Sequence, residues 1–453
     1  MRSVWFLLLI SATCLEGLGR RYLPIVPAAF FYFVKDVILV FGWWRFRPQA
    51  PVTRTARLLF RGFEATMIAA ILWTLAEIFN PESKSFVLAL IGFRAYWLWW
   101  IAPLVIANVM QDRREKERAI YGLMVLAIGV SALAAAQFAS PASSSLNMYT
   151  VRDGEEIYAA DQAVVASTGR ARVASTFAYV SGFQAFTLLV PAVLLSMGLD
   201  ATNRRVRRAA LVGTLVAAAV IPTSGSRSAI VIGIAILVLS LWTSGLFFTR
   251  IGRRIVLASL VAVVLATVAF PDAIFGVESR FADRSETEGR FAELANMLPP
   301  VAMLKFNYPA IGIGTGMQQN AKQSFGITTD WEVEAEVGRY LVELGPVGYL
   351  LVWITRLGLM VALLRSYSIL KRAGRRGSAG AALSYAALAL WGNLNFDHNW
   401  QSLYFMGCGF VLAEVVTVRR AALVPARSAA SAGARIEAPP DAQVALARSP
   451  GTG

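Results

Sequence analysis

The sequence has little charge, little histidine and almost no cysteine for its length. Only 16% of its 453 residues are charged and 57% are hydrophobic, a composition far from that of a soluble chain of this size. Both cysteines, Cys14 and Cys408, lie inside apolar segments, so neither a disulfide framework nor a zinc site is expected. The chain also has no Walker loop, kinase motif set or zinc motif, which excludes soluble catalytic domains of those kinds.

The sequence contains instead a series of apolar runs of about twenty residues, long enough to cross a bilayer as helices. We predict an all-α, polytopic integral membrane protein with about twelve transmembrane helices. The predicted helix cores are 3–18, 23–43, 62–80, 85–110, 119–139, 174–198, 209–223, 229–248, 255–276, 340–364, 381–396 and 402–418. Residues 1–423 thus form a membrane domain, in which the first run is an uncleaved helix. The Ala-, Pro-, Arg- and Ser-rich residues 424–453 are predicted to be a disordered tail.

Basic residues are concentrated in every second connection between these runs. The basic connections are 45–61, 113–118, 204–208, 250–254, 365–376 and the tail from Arg419. Because basic loops stay cytoplasmic, this pattern places all of them, and both termini, on the cytoplasmic side. It also accounts for the net charge of +15 without nucleic acid as a partner.

Two connections on the other side of the membrane are long, 140–173 and 277–338. The second is too long to be a simple connection. Ser285 and Glu288 form a capping-box pattern, apolar residues then recur at helical spacing, and Pro299 with its neighbouring proline ends the run. This extracytoplasmic loop is therefore predicted to contain an amphipathic helix over the membrane surface or over a cavity.

Arginines in extracytoplasmic positions need a reason, because such charges near apolar surroundings are usually paired or functional. The candidates are Arg170, Arg172, Arg227, Arg280, Arg284, Arg290 and Arg339. A guanidinium group matches phosphate oxygens in pairs, and the turn at 223–228 adds hydroxyls and N–H groups at a helix N-terminus. Several such arginines together suit a lipid diphosphate. Pairing with local acids such as Glu155, Glu286 and Glu336 is the alternative.

Acidic residues gather just before the tenth predicted helix, at Asp330, Glu332, Glu334 and Glu336. A carboxylate shielded from water near arginines is able to deprotonate a sugar hydroxyl as a general base. A solvated loop is the competing interpretation. The single histidine, His398, follows Asp397 at an outer helix end, where we favour a polar cap over an acid/base pair.

Two further groups of residues have structural interpretations. The glycine-rich segment 312–316 follows no strand of a nucleotide-binding unit, so a loop turn is expected rather than a dinucleotide site. Lys35, Asp36, Glu64 and Glu77 lie within the early helices, where we expect them to pair with one another inside the bundle. The fourth predicted helix is long and holds Arg94, and a break near its glycine at 92 is expected.

Short motifs occur in a definite order between residues 165 and 365. They are Arg172–Phe177, Ser224–Ala229, Gly289–Phe291, Pro309–Gly314 and Tyr340–Gly348. Together with the long loop between the ninth and tenth predicted helices, this set resembles the O-antigen ligase and O-antigen polymerase superfamily of bacterial envelope glycosyltransferases. The N-terminal third resembles that superfamily only in its number of helices.

The resemblance implies an enzyme of the bacterial inner membrane that joins glycans carried on undecaprenyl diphosphate, with no metal and no cofactor. It implies that Arg172, Arg227 and Arg290 bind the diphosphate. The other external arginines and His398 are further candidates for substrate binding. Ligases of this family usually have a histidine at the position of Glu334. We therefore expect a polymerase of an exopolysaccharide, capsule or O-antigen, with Glu334 or Glu336 as the general base.

Two alternatives stay open. A ligase of the same superfamily transfers finished glycan to a lipid or protein acceptor. A transporter of lipid-linked sugars belongs to another class, and it is disfavoured because the sequence shows no internal repeat and its ionisable residues gather at the outer face. The expected partners are membrane lipids, the lipid-linked glycans and, by the resemblance, a protein that controls chain length.

Overall fold

The computed structural model describes residues 2–23, 25–152, 155–158, 168–243, 270–282, 298–305, 307–319 and 336–436, with short stretches and single positions between them. Its helices are α1 (Arg2–Cys14), α2 (Glu16–Tyr22), α3 (Ala28–Arg45), α4 (Ala50–Phe60), α5 (Glu64–Ala76), α6 (Phe86–Trp97), α7 (Ala102–Val109), α8 (Arg113–Ala139), α9 (Val180–Asp200), α10 (Arg204–Ala219), α11 (Arg227–Thr243), α12 (Pro271–Ala282), α13 (Pro299–Lys305), α14 (Glu336–Arg372), α15 (Arg376–Trp391) and α16 (His398–Ile436). Within these residues, six helical segments are long and apolar enough to cross a membrane, or eight if each of two bent pairs is one span. The molecule is therefore an all-α, multi-pass membrane protein, and the total of about twelve spans stays a prediction.

The two bent pairs lie in the N-terminal third. α1 and α2 meet at 54°, and α4 meets the helix that begins at Glu64 at 93°. α4 is amphipathic, because Val52 and Leu59 are buried while Arg54 and Arg57 are exposed. Together with the 93° angle, this amphipathic pattern is typical of a helix in the membrane interface.

The fourth predicted helix breaks, but not at Gly92. α6 ends at Trp97, a turn of 3-10 helix covers Leu98–Ile101, and α7 begins with Pro103 in its first turn. A proline there is tolerated, because the N–H that it lacks has no partner in a first turn anyway. Gly92 instead lets the backbone of Gly316 approach so closely that no Cβ would fit.

α14 is broken at Gly345, whereas the sequence predicted a continuous helix there. Gly345 has φ +64, a conformation that glycine adopts without steric cost. A Cβ at this position would lie 2.7 Å from the carbonyl carbon of Ile311. The break therefore exists because another backbone segment crosses the helix at this point.

The crossing segment is the glycine-rich stretch 312–316, which is the loop that the sequence predicted. Its backbone N–H groups donate to the first half of α14, from Ile313 to the Val342 carbonyl (3.0 Å) and from Gly314 to the Glu343 carbonyl (3.1 Å). These contacts satisfy carbonyls that the break leaves without helical partners. The loop is part of the scaffold.

The long loops contain elements that the sequence did not predict. Met148–Arg152 (β1) pairs antiparallel with Glu155–Tyr158 (β2), and Val164–Val165 (β3) pairs with Arg170–Ala171 (β4). These short strands are an addition to the all-α prediction. They place Arg170 next to the helical bundle in a fixed register.

The second long loop and the tail differ from prediction in two places. The prolines at 299 and 300 begin α13, which the sequence did not predict, since proline is favoured in a first helical turn. The predicted amphipathic helix over 285–298 lies almost entirely outside the described residues. α16 continues to Ile436, so the tail predicted to be disordered from 424 begins inside this helix, and 437–453 lie outside the described residues.

The described arginine-rich connections meet at one end of the bundle, which we call the basic end. Arg365 Nη1 donates to the Leu59 carbonyl (2.6 Å), and Arg420 Nη2 donates to Gln49 Oε1 (3.1 Å). The loop after α9 joins them, because Asp200 accepts hydrogen bonds from the backbone of the α15 N-terminus. This grouping is the one that the alternation of charge predicts.

Candidate active site

The candidate site lies at the other end of the bundle, which we call the opposite end. There, the segment 170–177 packs on a turn of 3-10 helix, Ile221–Ser224. Val173 N donates to the Thr223 carbonyl (3.1 Å), and Arg172 Nε donates to the Ser224 carbonyl (3.3 Å). Arg172 is thereby fixed against the turn that precedes Arg227.

The turn reverses into α11 through Gly225, whose φ is +63. Ser226 caps the new helix, since its Oγ accepts from Ala229 N (3.4 Å) and contacts Ser228 Oγ (2.9 Å). Arg227 is the first residue of α11 and is partly buried. Two of the three predicted diphosphate ligands, Arg172 and Arg227, therefore belong to adjoining segments.

Tyr149 fixes Arg172 from its other side. Its hydroxyl donates to the Arg172 carbonyl (2.6 Å). Burial raises the pKa of Tyr149 to about 12, against the opposing effect of the neighbouring Arg172 and Arg21. The phenol therefore keeps its proton and acts as a donor at neutral pH.

The segment 172–177 is held in a strained conformation. Ser175 has φ +52, which is unusual for a residue other than glycine. Arg21 is 2% exposed and donates to the carbonyls of Ser175 (2.7 Å) and Phe177, while Gln137 Oε1 accepts from Ser175 N (2.7 Å). Such a conformation persists only where its surroundings fix it, and it is common at functional sites.

Arg21 is a residue that sequence reasoning missed. Arg20 and Arg21 lie between the first and second predicted helices, so the alternation of charge puts them on the same side as Arg172. This position in the charge pattern was the sequence feature that could have identified Arg21 as a candidate. The structure uses Arg21 to hold the segment that carries Arg172.

Arg170 does not face the turn. Its Nε lies 2.8 Å from Asp272 Oδ2 of α12, and both side chains are well exposed. Arg170 is thus paired with an acid, but with one that is distant in the chain and that the sequence analysis did not name. An exposed pair of this kind contributes about 0–1 kcal/mol.

An apolar cavity of about 240 Å³ lies between α9, α10 and α11, directly beside the turn. Ile221 and Pro222 of the turn line it, together with Ile274 of α12. Thr187 and Thr214 are its polar lining residues, and both hydroxyls donate to carbonyls of their own helices. Apolar space for a lipid chain is thus continuous with a turn flanked by arginines.

Glu336 lies at the start of α14, and its carboxylate is already engaged. Oε1 accepts from Arg356 Nη1 (3.1 Å), from Leu394 N (3.1 Å) and from Asn395 N (3.3 Å), and Tyr340 also donates to it. Both side chains of the Glu336–Arg356 pair are less than a tenth exposed. Glu336 therefore anchors the segment between α15 and α16, while Glu334 lies outside the described residues.

Arg339 and His398 lie near this anchor. Arg339 Nε donates to the Val333 carbonyl (2.9 Å), and its guanidinium group covers the ring of Phe396 at 5.3 Å. His398 is buried, with Nδ1 at 3.2 Å from Gln401 Oε1 and Nε2 against Arg94. The predicted polar cap is in fact Asp397, whose Oδ1 accepts from two backbone N–H groups of α16.

Buried charge pairs connect these elements. Lys35 Nζ contacts Glu16 Oε2 (2.6 Å) and Asn399 Oδ1 (3.0 Å), and Asp36 pairs with Arg94. Lys35 and Asp36 are thus paired inside the bundle, but with Glu16 and Arg94, so the expected mutual pairing of the four early residues is wrong. The other two early acids accept uncharged donors instead: Glu64 accepts from Gly62 N and Glu77 accepts from Asn80 Nδ2.

The Arg172 segment and the Glu336 anchor lie at the same end of the bundle. Gly182, just after that segment, packs against Asn399, since a Cβ on Gly182 would lie 2.9 Å from Asn399 Nδ2. The chain between α15 and α16 then reaches Glu336. Arg284 and Arg290 lie outside the described residues, and Arg280 belongs to α12 with a side chain that is outside them too.

No protein-family profile matches the chain, and a search among curated proteins found no relative. The resemblance to the O-antigen ligase and polymerase superfamily therefore rests on the motifs themselves. Its consequences for function are a proposal.

Proposed function

We propose that this protein is a membrane glycan polymerase that joins undecaprenyl-diphosphate-linked repeat units on the extracytoplasmic face of the bacterial inner membrane. The observation that carries the proposal is that Arg172 and Arg227 adjoin the turn whose residues Ile221 and Pro222 line the apolar cavity between α9, α10 and α11. A lipid diphosphate has these two parts, an apolar chain and a doubly charged anion. In this proposal the polypeptide spans the membrane about twelve times. Its basic end, with both termini, is cytoplasmic.

Arg172 and Arg227, with Arg290 from the long loop, bind the diphosphate of the donor. Guanidinium groups bind phosphate oxygens in pairs and remain charged in dry surroundings. As the glycosidic bond to the diphosphate breaks, negative charge grows on the leaving oxygen, and these groups stabilise it. Positive charge from arginine takes the place of a divalent cation in this step.

The acceptor is a sugar hydroxyl of the next lipid-linked repeat unit. Its oxygen attacks the anomeric carbon of the growing chain, the bond to the diphosphate breaks, and a carboxylate receives the hydroxyl proton. We assign this base to Glu334, because Oε1 of Glu336 already accepts four hydrogen bonds. Glu336 then acts as a positioning residue, and loss of the base should cost about 10²–10⁴ in rate.

The test is to express the Arg227→Ala variant in a strain that lacks the chromosomal gene. Arg205→Ala is the matched control, since Arg205 is an exposed arginine at the basic end. At equal protein levels we expect Arg227→Ala to lose polymer and to accumulate single lipid-linked repeat units, while Arg205→Ala makes polymer normally. Normal polymer yield and length in the Arg227→Ala strain would refute the proposed diphosphate site.

The same experiment separates a polymerase from a ligase. Loss of a ligase leaves long polymer attached to undecaprenyl diphosphate, whereas loss of a polymerase leaves single repeat units. The lipid-linked intermediate that accumulates, resolved on a gel, therefore decides between the two.

A transporter of lipid-linked sugars is a second candidate, because of the helix break at Gly345. Discontinuous membrane helices beside buried charges are typical of secondary transporters, and α14 is broken at this glycine. Transport requires a sealed membrane, and polymerisation does not. Conversion of lipid-linked repeats to polymer by purified protein in detergent would therefore exclude transport as the sole function.

A further inference from the structure

A second apolar cavity, of about 330 Å³, lies at the basic end and plays no part in the proposed reaction. Its walls come from α4, α5, the turn that precedes α7, the second half of α14, and α16. Deep in the cavity the lining is apolar, with Trp100, Leu363 and Phe405 among its residues. Its volume is at the lower end of the range of about 300–1,000 Å³ that is usual for small-molecule sites.

Polar groups line this cavity mainly where it meets α4 and α5. They are Thr53, Arg57 and Glu64. The hydroxyl of Ser366, on the α14 wall, is already bonded to the Ala362 carbonyl. The cavity thus has an apolar interior and a charged rim at the level of the interfacial helix α4.

The position of α4 is fixed by the rest of the bundle. At its C-terminal end, Arg365 Nη1 donates to the carbonyls of Leu59 (2.6 Å) and Arg61 (2.9 Å). At its N-terminal side, Asn108 Oδ1 accepts from Gln49 N (3.4 Å). These hydrogen bonds fix α4 in place beside the cavity. Arg57 lies on the exposed face of α4.

α4 and the residue that follows it carry three arginines, of which Arg57 lines the cavity. Arg54, Arg57 and Arg61 are exposed, and within the part of the chain that the structure describes no carboxylate forms an ion pair with any of them. Glu64 is the acid at the rim, and its carboxylate accepts from Gly62 N (2.7 Å). Arg57 at the rim, with two further guanidinium groups carried by the same segment against one carboxylate, makes the surroundings of the cavity favourable for an anionic ligand.

We propose that this cavity binds an anionic phospholipid, with an acyl chain in the apolar interior and the headgroup phosphate against Arg57. Apolar space that opens beneath an arginine-bearing interfacial helix matches the two parts of such a lipid. Basic pockets between membrane helices bind anionic headgroups in this way. The acyl chain of a zwitterionic lipid fits the interior equally well, but its headgroup gains less electrostatic binding energy from Arg57.

The test is native mass spectrometry of the purified full-length protein, titrated with phosphatidylglycerol or with phosphatidylcholine of identical acyl chains. We expect tighter binding of phosphatidylglycerol by the wild-type protein. Arg57→Gln should weaken that binding about fivefold, since one arginine near a membrane surface contributes about 1 kcal/mol. Arg205→Gln, which removes an exposed arginine elsewhere at the basic end, should leave it unchanged.

Both substitutions replace exposed side chains, so folded protein is expected in each case. The proposal is overturned if the two lipids bind equally, or if Arg57→Gln and Arg205→Gln behave alike. A phosphatidylglycerol with a photoreactive acyl chain gives an independent readout. Its cross-links should map to cavity residues such as Trp100 and Phe405, and cross-links found only outside the cavity would also overturn the proposal.

Discussion

The two ends of the bundle use arginine in opposite ways. At the basic end, side chains such as Arg113, which is 67% exposed, pair at the surface with a neighbouring acid. At the opposite end, Arg21 and Arg356 are 2% and 5% exposed and donate to backbone carbonyls. Arg365 is an intermediate case, since it donates to carbonyls at the basic end.

The two ends use arginine differently because they differ in how many backbone carbonyls lack helical partners inside the protein. At the opposite end helices stop, break or bend inside the protein, and each such place leaves carbonyls without helical partners. Water is scarce there, so buried arginines supply the missing donors. An arginine at the opposite end is therefore not by itself a ligand site. Arg21 and Arg356 serve the fold, whereas Arg172 and Arg227 lie beside the apolar cavity.

Among substitutions that test this difference between the two ends, we expect the largest loss of stability at Arg356. Arg356→Ala leaves the buried Glu336 carboxylate without its counterion, which typically costs about 3–5 kcal/mol. We expect a large drop in the thermal unfolding temperature in detergent. Arg113→Ala, at the exposed end, should change stability by less than about 1 kcal/mol. Adding Glu336→Gln to Arg356→Ala should recover part of the loss, and no recovery would contradict a role for the ion pair.

A smaller loss of stability is expected on substitution of Gly345. Gly345→Ala puts a Cβ on a backbone of φ +64 and ψ −179, which is essentially restricted to glycine, and against the Ile311 backbone, so strain of about 1–3 kcal/mol adds to a steric clash. Gly374→Ala is the matched control, since Gly374 has φ +73 and nothing within 4 Å of an added Cβ. Thermal unfolding of the two variants should separate the clash from the strain. Equal losses would mean that the loop moves aside freely.

The smallest loss of stability is expected on substitution of Tyr149. Tyr149→Phe removes one hydrogen bond to the Arg172 carbonyl, worth about 0.5–1.5 kcal/mol. Because burial raises the pKa of this phenol from 10.0 to about 12, its contribution to stability is full below pH 10 and is lost as pH rises towards 12. Unfolding temperatures between pH 9 and 12 should therefore fall more steeply for the wild type than for the Phe variant. Parallel curves would contradict this assignment.

The sequence predicts the class of molecule well because hydrophobic length and loop charge are local properties. Six of the predicted apolar runs coincide with helices long and apolar enough to cross a membrane, and the described basic connections meet at one end of the bundle. The glycine-rich segment 312–316 was also correctly predicted to be a loop. Its role in breaking α14 was not predictable, since it depends on contact between segments that are distant in the chain.

The same reason limits what the sequence says about the site. That Arg172 lies against the Ser224 carbonyl, or that Glu336 binds Arg356, follows from packing and not from spacing. Arg21 was missed because the first two apolar runs leave only a short connection between them. The charge pattern locates an arginine on one side of the membrane, and tertiary structure decides what it binds.

The helix that follows the 93° bend after α4 is short for a membrane span. α5 has 13 residues and the following 3-10 helix has 3, so together they reach only about 26 Å even when upright. An ordinary hydrocarbon layer is about 30 Å thick. As a membrane span, α5 falls a few ångströms short of this layer, a mismatch of the kind that bilayer thinning or snorkelling side chains accommodate.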